Sequence, residues 1–522
     1  MKHNIGYYIG LSALFLLTAG CNKLDQSPSD RFTDDSFWTS VSRADLVLNM
    51  TYNQMYGPGK MWSDEYLSDN MIARRDRNPD ERLIRAGSGS SGLNLFQTEW
   101  KWAYQGIKTC NVFMDKVGLV PGLDAAKRRE MEAQVRFIRA YLYFRLSNFY
   151  GAVPFFLKDI SLEETKATGR TPRAEVLAAL HRELDEIIPA LPLSVPASDN
   201  GRIRRAAAVM LKARMHLYEG EMAEAAALCK GIMDGDYGSY GLFRPATVKY
   251  SAYEDLFTSA NEFNQEIILS YAQIPVQKEW TINDKVPRST VGAMATMFFP
   301  TESLVEEYVD SEGNPYTVTG NNPYENRDPR LDATVARHGS VWRDVADGTA
   351  TTRVIQIDPD NSSEDINKYK QSNATETGYY VRKWFDPEHR TDMKLSTDII
   401  MMRYADVLLM YAEAVNESTP AAFDEEVWNA TIRPIRERAG FTANAALEFP
   451  AGKSQAEYRR IIRTERRAEL ALEGLRYYDL MRWKDDTNTL LNKTLYSAKF
   501  TGSTVQDLSL IHISEPTRLQ LI

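Results

Sequence analysis

"RRAAAVMLKARMHLYEGEMAEAAALCKGIM", residues 204–233, decides the fold. Apolar residues recur every three or four positions on both sides of Gly220, the pattern of two amphipathic helices joined by a tight turn. Small residues at Ala213, Ala223 and Ala226 are expected to let the two helices approach closely. Helical spacing continues upstream over 41–57, over 99–117 and over 128–151, which closes at Gly151. A further helix is expected over 173–192, ended by the prolines that follow it.

The spacing of small and large residues in the hairpin resembles a tetratricopeptide unit. "MRYADVLLMYAEAVNE" and "EEVWNATIRPIRERAG" (402–440) read as a second, degenerate copy. Between the copies the chain changes character. Residues 240–400 are rich in Gly, Pro, Asn, Asp, Thr and aromatics, with few helical patterns. A long irregular insertion in a helical scaffold is where function commonly resides. The fold class is therefore mostly α, with helix hairpins and a loop-rich insertion.

The chain opens with Lys2, His3 and an apolar run, "IGYYIGLSALFLLTAG", that ends in small residues and meets Cys21. This is an export leader over 1–20. A cysteine directly after the small residues points to a bacterial lipoprotein signal, in which the Cys21 thiol is acylated and anchors the mature chain. Thr18 stands three before the cysteine where the usual pattern has Leu. Residues 21–40 are polar and read as a tether, 41–507 as one domain. The tail 508–522 contains "LSLIHISEPTR", which resembles a translated sequencing adapter and is expected to be non-native.

Composition excludes some partners. With 62 basic and 71 acidic side chains the net charge is −9, and there is no long basic block, which argues against nucleic acid. Cys110 and Cys229 fall in helical segments and are expected to be buried free thiols. Aromatics are abundant, at 27 Tyr, 20 Phe and 9 Trp. A surplus of flat rings in loops suits a protein that stacks against the C–H faces of sugars.

No catalytic motif stands up to its plainer reading. "GSGSSG" (87–92) follows a charged stretch rather than a buried strand, so a flexible loop is expected instead of a dinucleotide site. Glu469 and Glu473 are four apart and are placed on one helix face. Interleaved Arg466, Arg467 and Arg476 suit ion pairs better than the acid and base of a glycosidase. "DPDNSSED" (358–365) lacks the spacing of a calcium loop, so no cofactor is expected and calcium is only weakly supported. The histidines (His3, His181, His216, His338, His389, His512) read as scattered, without a metal pair.

Seven segments in order resemble the SusD/RagB-type outer-membrane nutrient-binding lipoproteins: "VRFIRAYLYFRLSNFYGAVPFF" (135–156), residues 200–226, "FFPTESLVEEYVDSEG" with "NRDPRLDATV" (298–335), "TGYYVRKW" (377–384), "IMMRYADVLLMYAEAVNE" (400–417), "IRERAG" (435–440) and "RTERRAELALEGLRYYDLMRW" (463–483). The resemblance implies a SusD-like helical fold with tetratricopeptide-like hairpins. It also implies a lipid-anchored protein at the outer membrane that captures a glycan and delivers it to a SusC-like TonB-dependent transporter. The chain departs from the pattern at Thr18, at the single Asp25 after the cysteine, and in its tail.

Shared motifs of that family are scaffold, so ligand residues are inferred from chemistry. Exposed rings plus planar polar side chains in loops are the requirement. Candidates are Arg74, Asp76, Arg77 and Asn78, Phe96, Trp280, Tyr316, Tyr324 and Trp342. An exported glycoside hydrolase, or a tetratricopeptide-like scaffold that binds only protein, are the alternative functions.

Overall fold

A computed structural model describes residues 37–483, apart from 75–78, 86–88, 318–321, 347–348, 358–362, 364, 366–373 and 389–392, together with 496–501 and 504–510. The longer helices are α1 (Val41–Asn53), α2 (Pro58–Tyr66), α3 (Asn94–Lys116), α4 (Ala125–Tyr150), α5 (Arg173–Ile187), α6 (Arg205–Glu219), α7 (Met222–Met233), α8 (Tyr404–Ser418), α9 (Ile432–Ala439), α10 (Gln455–Leu470) and α11 (Arg476–Trp483). Local chemistry sets their ends. Asp124 caps α4 by accepting from the amides of Ala126 and Lys127, and Ser454 with Glu457 forms a capping box on α10. Gly220, at φ +81°, closes α6 in the left-handed conformation that the hairpin reading requires.

Each helix packs on the next: α3 on α4, α4 on α5, α6 on α7, and then α7 on α8 and α8 on α10. The contact between α7 and α8 bridges the whole insertion, so the stack is continuous in space and broken in sequence. On α6 Ala206, Ala207, Ala208 and Ala213 are wholly buried, as a tight hairpin needs. Ala226 is half-buried. Ala223 is exposed, and Ala225 occupies the inward place expected of it. The alanine-rich run holds more small residues than the turn of helix facing α6 can use. Of the expected copy at 402–440, the first helix is α8 and the second is broken in two, Glu425–Ala430 and α9, at Thr431.

Among the described residues the strands form five antiparallel pairs. β1 (Met71–Ala73) pairs with β3 (Phe298–Pro300), β2 (Ile267–Tyr271) with β8 (Ile399–Arg403), and β4 (Val335–Ala336) with β7 (Tyr380–Val381). β5 (Val341–Ala346) and β6 (Thr349–Val354) form a hairpin, as do β9 (Tyr496–Thr501) and β10 (Thr504–Leu510). The β2–β8 pair brings the two ends of segment 272–398 together, and β8 runs directly into α8. Cys110 and Cys229 are free and buried in α3 and α7; burial pushes the Cys110 thiol up to about 12.

A buried charge network ties the insertion to the stack. Helix α10 ends at Leu470 and Leu472 takes φ +62°, so Glu469 and Glu473 do not share a helix face as their spacing suggests. They converge instead on Arg403 at the end of β8, whose guanidinium lies 2.6 Å from Glu469 and 2.7 Å from Glu473. Arg438 of α9 and Arg330 of the insertion also reach Glu469, Arg330 at 3.0 Å. Arg403 and Arg438 share Glu266, and Lys383 pairs with Glu473 at 2.6 Å. Burial disfavours the charge on Glu469, yet Arg438, Arg403 and Arg330 overcome it and hold the carboxyl far below its usual range. Burial draws the Lys383 ammonium down to about 8 in spite of Glu473. The interleaved arginines pair elsewhere: Arg466 with Asp406 and Asp479, Arg467 with Asp69 and Glu307, Arg476 with Asp69.

Removing one partner from such a cluster leaves an uncompensated buried charge. Glu469→Gln is expected to lower unfolding free energy by about 3–5 kcal/mol in chemical denaturation; a loss below about 1 kcal/mol would refute the network's role. A second prediction concerns acid. Burial opposes the charge of Asp406, but Arg466 and Arg214 hold its carboxyl at about 2, below the unfolded value of about 3.9. Its contribution is complete above the unfolded value and disappears as pH falls from about 4 towards 2. Asp406→Asn is therefore expected to flatten the stability–pH curve across that window, read from thermal midpoints.

Candidate functional site: a stacked ring column on a strand pair

The β1–β3 pairing places the C-terminal end of α2, the residues before segment 75–78 and the strand "FFP" side by side. Alternation along β3 turns Phe299 fully inward and leaves Phe298 half-buried. Phe298 lies flat on Tyr66, ring centroids 3.7 Å apart and planes 3° from parallel. Tyr66 in turn is stacked with Trp62, one turn earlier on α2, at 6.3 Å and 18°. Three rings thus form a column: Trp62 at its base, Phe298 at its accessible end.

Polar groups frame the column. The Lys285 ammonium sits 5.1 Å from the Trp62 ring and 5.5 Å from Phe298, and pairs with Asp284 at 2.6 Å. Burial lowers the pKa of Lys285 despite that partner. The Arg74 amide donates to the Met297 carbonyl at 2.9 Å, which fixes the start of segment 75–78 beside the column. The Trp62 indole Nε1 and the Tyr66 Oη are buried and make no hydrogen bond among the described residues. Met294, 59% exposed, adds an apolar edge. Such an arrangement can hold a flat, hydroxyl-rich ligand by its apolar face and offer donors at the rim.

The sequence candidates divide. Arg74 lies at this site; Asp76, Arg77 and Asn78 lie outside the described residues, as does Cys21. Phe96 opens α3, half-buried, its ring edge-on to Tyr150 at 6.3 Å and its carbonyl accepting from the Tyr150 hydroxyl. It begins an aromatic stripe that continues through Trp100 and Tyr104 into a cleft of 280 Å³. Tyr316 is half-buried with the Arg327 guanidinium 3.7 Å over its face. The expectation of exposed rings fails for the other three. Trp280 is buried, its Nε1 donating to the Thr397 carbonyl at 2.8 Å. Trp342 is 1% exposed against Phe385, and Tyr324 is buried with its hydroxyl 3.0 Å from that of Tyr379. Their polar, Gly-rich neighbours suggested loops; the loops fold back so that these rings anchor them.

Trp62, Tyr66, Lys285 and Phe298 were not among the sequence candidates. Tyr66 and Trp62 look like helix-face residues, and Phe298 sits in a segment that reads as scaffold. The half-alternating "FFP" strand is the signal that could have exposed Phe298. Of the weak calcium loop, Asp365 is described, and its carboxylate already accepts from the amide and hydroxyl of Ser289 at 2.9 and 2.8 Å. The paired glutamates Glu469 and Glu473 are buried between arginines, with pKa values lowered, and cannot serve as a general acid. Among the described residues no helix is long and apolar enough to cross a membrane.

Comparison with known proteins agrees with this architecture. The SusD family model matches residues 265–512, and a second model, described as starch-binding associating with outer membrane, matches residues 22–217. SusD-like protein P25 of Formosa agariphila is 27% identical over 389 residues, 74% of this chain and 69% of that protein. The starch-binding protein SusD of Bacteroides thetaiotaomicron is 25% identical over 419 residues, 74% of this chain and 70% of that protein. The crystal structure of a SusD-like carbohydrate binding protein from Bacteroides fragilis superposes with a TM-score of 0.77 at 26% identity, covering 88% of this chain and 89% of the other. Matched in sequence on both sides of the α7–α8 contact and in fold over most of its length, the chain belongs to the SusD/RagB family.

Proposed function

We propose that the protein is a lipid-anchored outer-membrane protein that binds a glycan on the Trp62–Tyr66–Phe298 face and delivers it to a SusC-like TonB-dependent transporter. The ring column carries this reading: parallel planes ending in a half-buried ring, with unpartnered N–H and O–H groups behind it, are suited to a pyranose face. The names of the relatives, starch-binding and carbohydrate binding, supply the ligand class. The leader with Cys21 supplies the anchor and compartment, with the body of the protein facing the cell exterior. No catalytic step is assigned, and the site is read as one of capture.

Retention on a polysaccharide affinity gel, or a spot on a glycan array, is the direct test. Phe298→Ala is expected to weaken glycan binding about tenfold while the protein stays folded. Trp342→Ala is expected to cost about 3–5 kcal/mol of stability without a matching loss of affinity in the folded fraction. Equal glycan affinity of wild type and Phe298→Ala would remove the site from this face. Sugar release from a bound glycan would favour the hydrolase instead. Co-purification with the transporter and no affinity for any glycan would favour a protein-binding scaffold.

A further inference from the structure

Histidines that look scattered in sequence meet in the fold. His181 on α5 and His216 in the last turn of α6 bring their ring centroids to 4.1 Å, the planes tilted by 32°. Glu221, the residue after the Gly220 turn, places a carboxylate oxygen 2.6 Å from Nδ1 of His216. One donor atom from each of the three lies within 4.8 Å of the others. The turn brings them together: the Glu221 amide donates to the His216 carbonyl at 2.9 Å, which places the Glu221 side chain beside the imidazole.

Two histidines satisfied as packing residues would have their ring nitrogens bonded. Nδ1 of His181 is instead buried with no hydrogen-bond partner among the described residues. Lys212 does not intrude, because its ammonium is paired with Asp185 across the same two helices. Metal bonds of about 2.0–2.1 Å separate tetrahedral donors by about 3.3 Å. The donor atoms here lie within 4.8 Å of one another, so an ion would require side-chain rotation, which the exposed Glu221 can make.

We propose that His181, His216 and Glu221 form a binding site for a divalent transition-metal ion of zinc-like chemistry, on elements that take no part in the ring column. Two imidazoles and a carboxylate suit an ion of borderline softness, with a fourth position left to solvent. The bound ion would fasten α5 to the α6–α7 turn.

The test uses the protein without a histidine tag, titrated with Zn²⁺ by calorimetry and with Co²⁺ by visible absorption. Wild type is expected to take up one equivalent of Zn²⁺ and to give the intense d–d bands of four-coordinate Co²⁺. His181→Ala and His216→Ala are expected to abolish stoichiometric uptake, and Glu221→Gln to weaken it about tenfold. Glu221 is exposed, so its variant remains folded and decides the matter even where a histidine variant does not fold. Absence of stoichiometric uptake by wild type, or a Glu221→Gln affinity equal to wild type, would overturn the proposal.

Discussion

Glu469 is the residue on which the architecture turns. Its carboxylate is fully buried, and it receives guanidinium groups from three places that are far apart in sequence: Arg330 in the insertion, Arg403 at the strand-to-helix junction and Arg438 on α9. Isolating one charge there would cost far more than surface ion pairs return, so the three arginines must arrive together. With Glu266, Glu465 and Glu473 as further acceptors, the cluster acts as a keystone between layers. Apolar packing gives the stack its bulk; the network gives the insertion its position.

That position matters for the binding face. The ring column belongs to two elements, α2 from the N-terminal part and β3 from the insertion, joined by three residue pairs in β1–β3. Such a short ladder cannot hold a platform by itself. The frame behind it does: Arg467 and Arg476 both grip Asp69, just before β1, and Arg467 also holds Glu307 beyond β3. Rigid support behind a binding face is the arrangement expected where ligand choice resides in loops.

Much of the scaffold is legible in sequence because its signals are local. The hairpin at 204–233 announces itself through helical period and Gly220, and the long helices through period and caps. The ring column is not legible in that way. Tyr66 and Phe298 are separated by more than two hundred positions, and nothing near either shows that the other will lie flat upon it. Trp280, Trp342 and Tyr324 mislead for the converse reason: polar neighbours mark a loop, but not whether its aromatic points out or serves as the peg that holds it down. Glu469 and Glu473 read correctly as ion-paired, whereas their partners, Arg330, Lys383, Arg403 and Arg438, belong to other elements and could not be named from spacing. His181 and His216 show the same limit, each unremarkable until α5 lies against α6.

The α7–α8 contact has a consequence for how the chain is made. Helix α7 ends at Met233 and its packing partner starts at Tyr404, so the N-terminal stack is synthesised before its flank can be covered. Glu266 can meet Arg403 and Arg438 early, but their second shared acceptor, Glu469, comes later still, in α10. Until α8 and α10 arrive, the N-terminal stack has an open apolar side and the charge network is incomplete, with closure of a loop of well over a hundred residues still ahead. High contact order of this kind slows folding and prolongs exposure to aggregation. Completion therefore waits on α10, Gln455–Leu470, and the charge network closes only once that helix has been made.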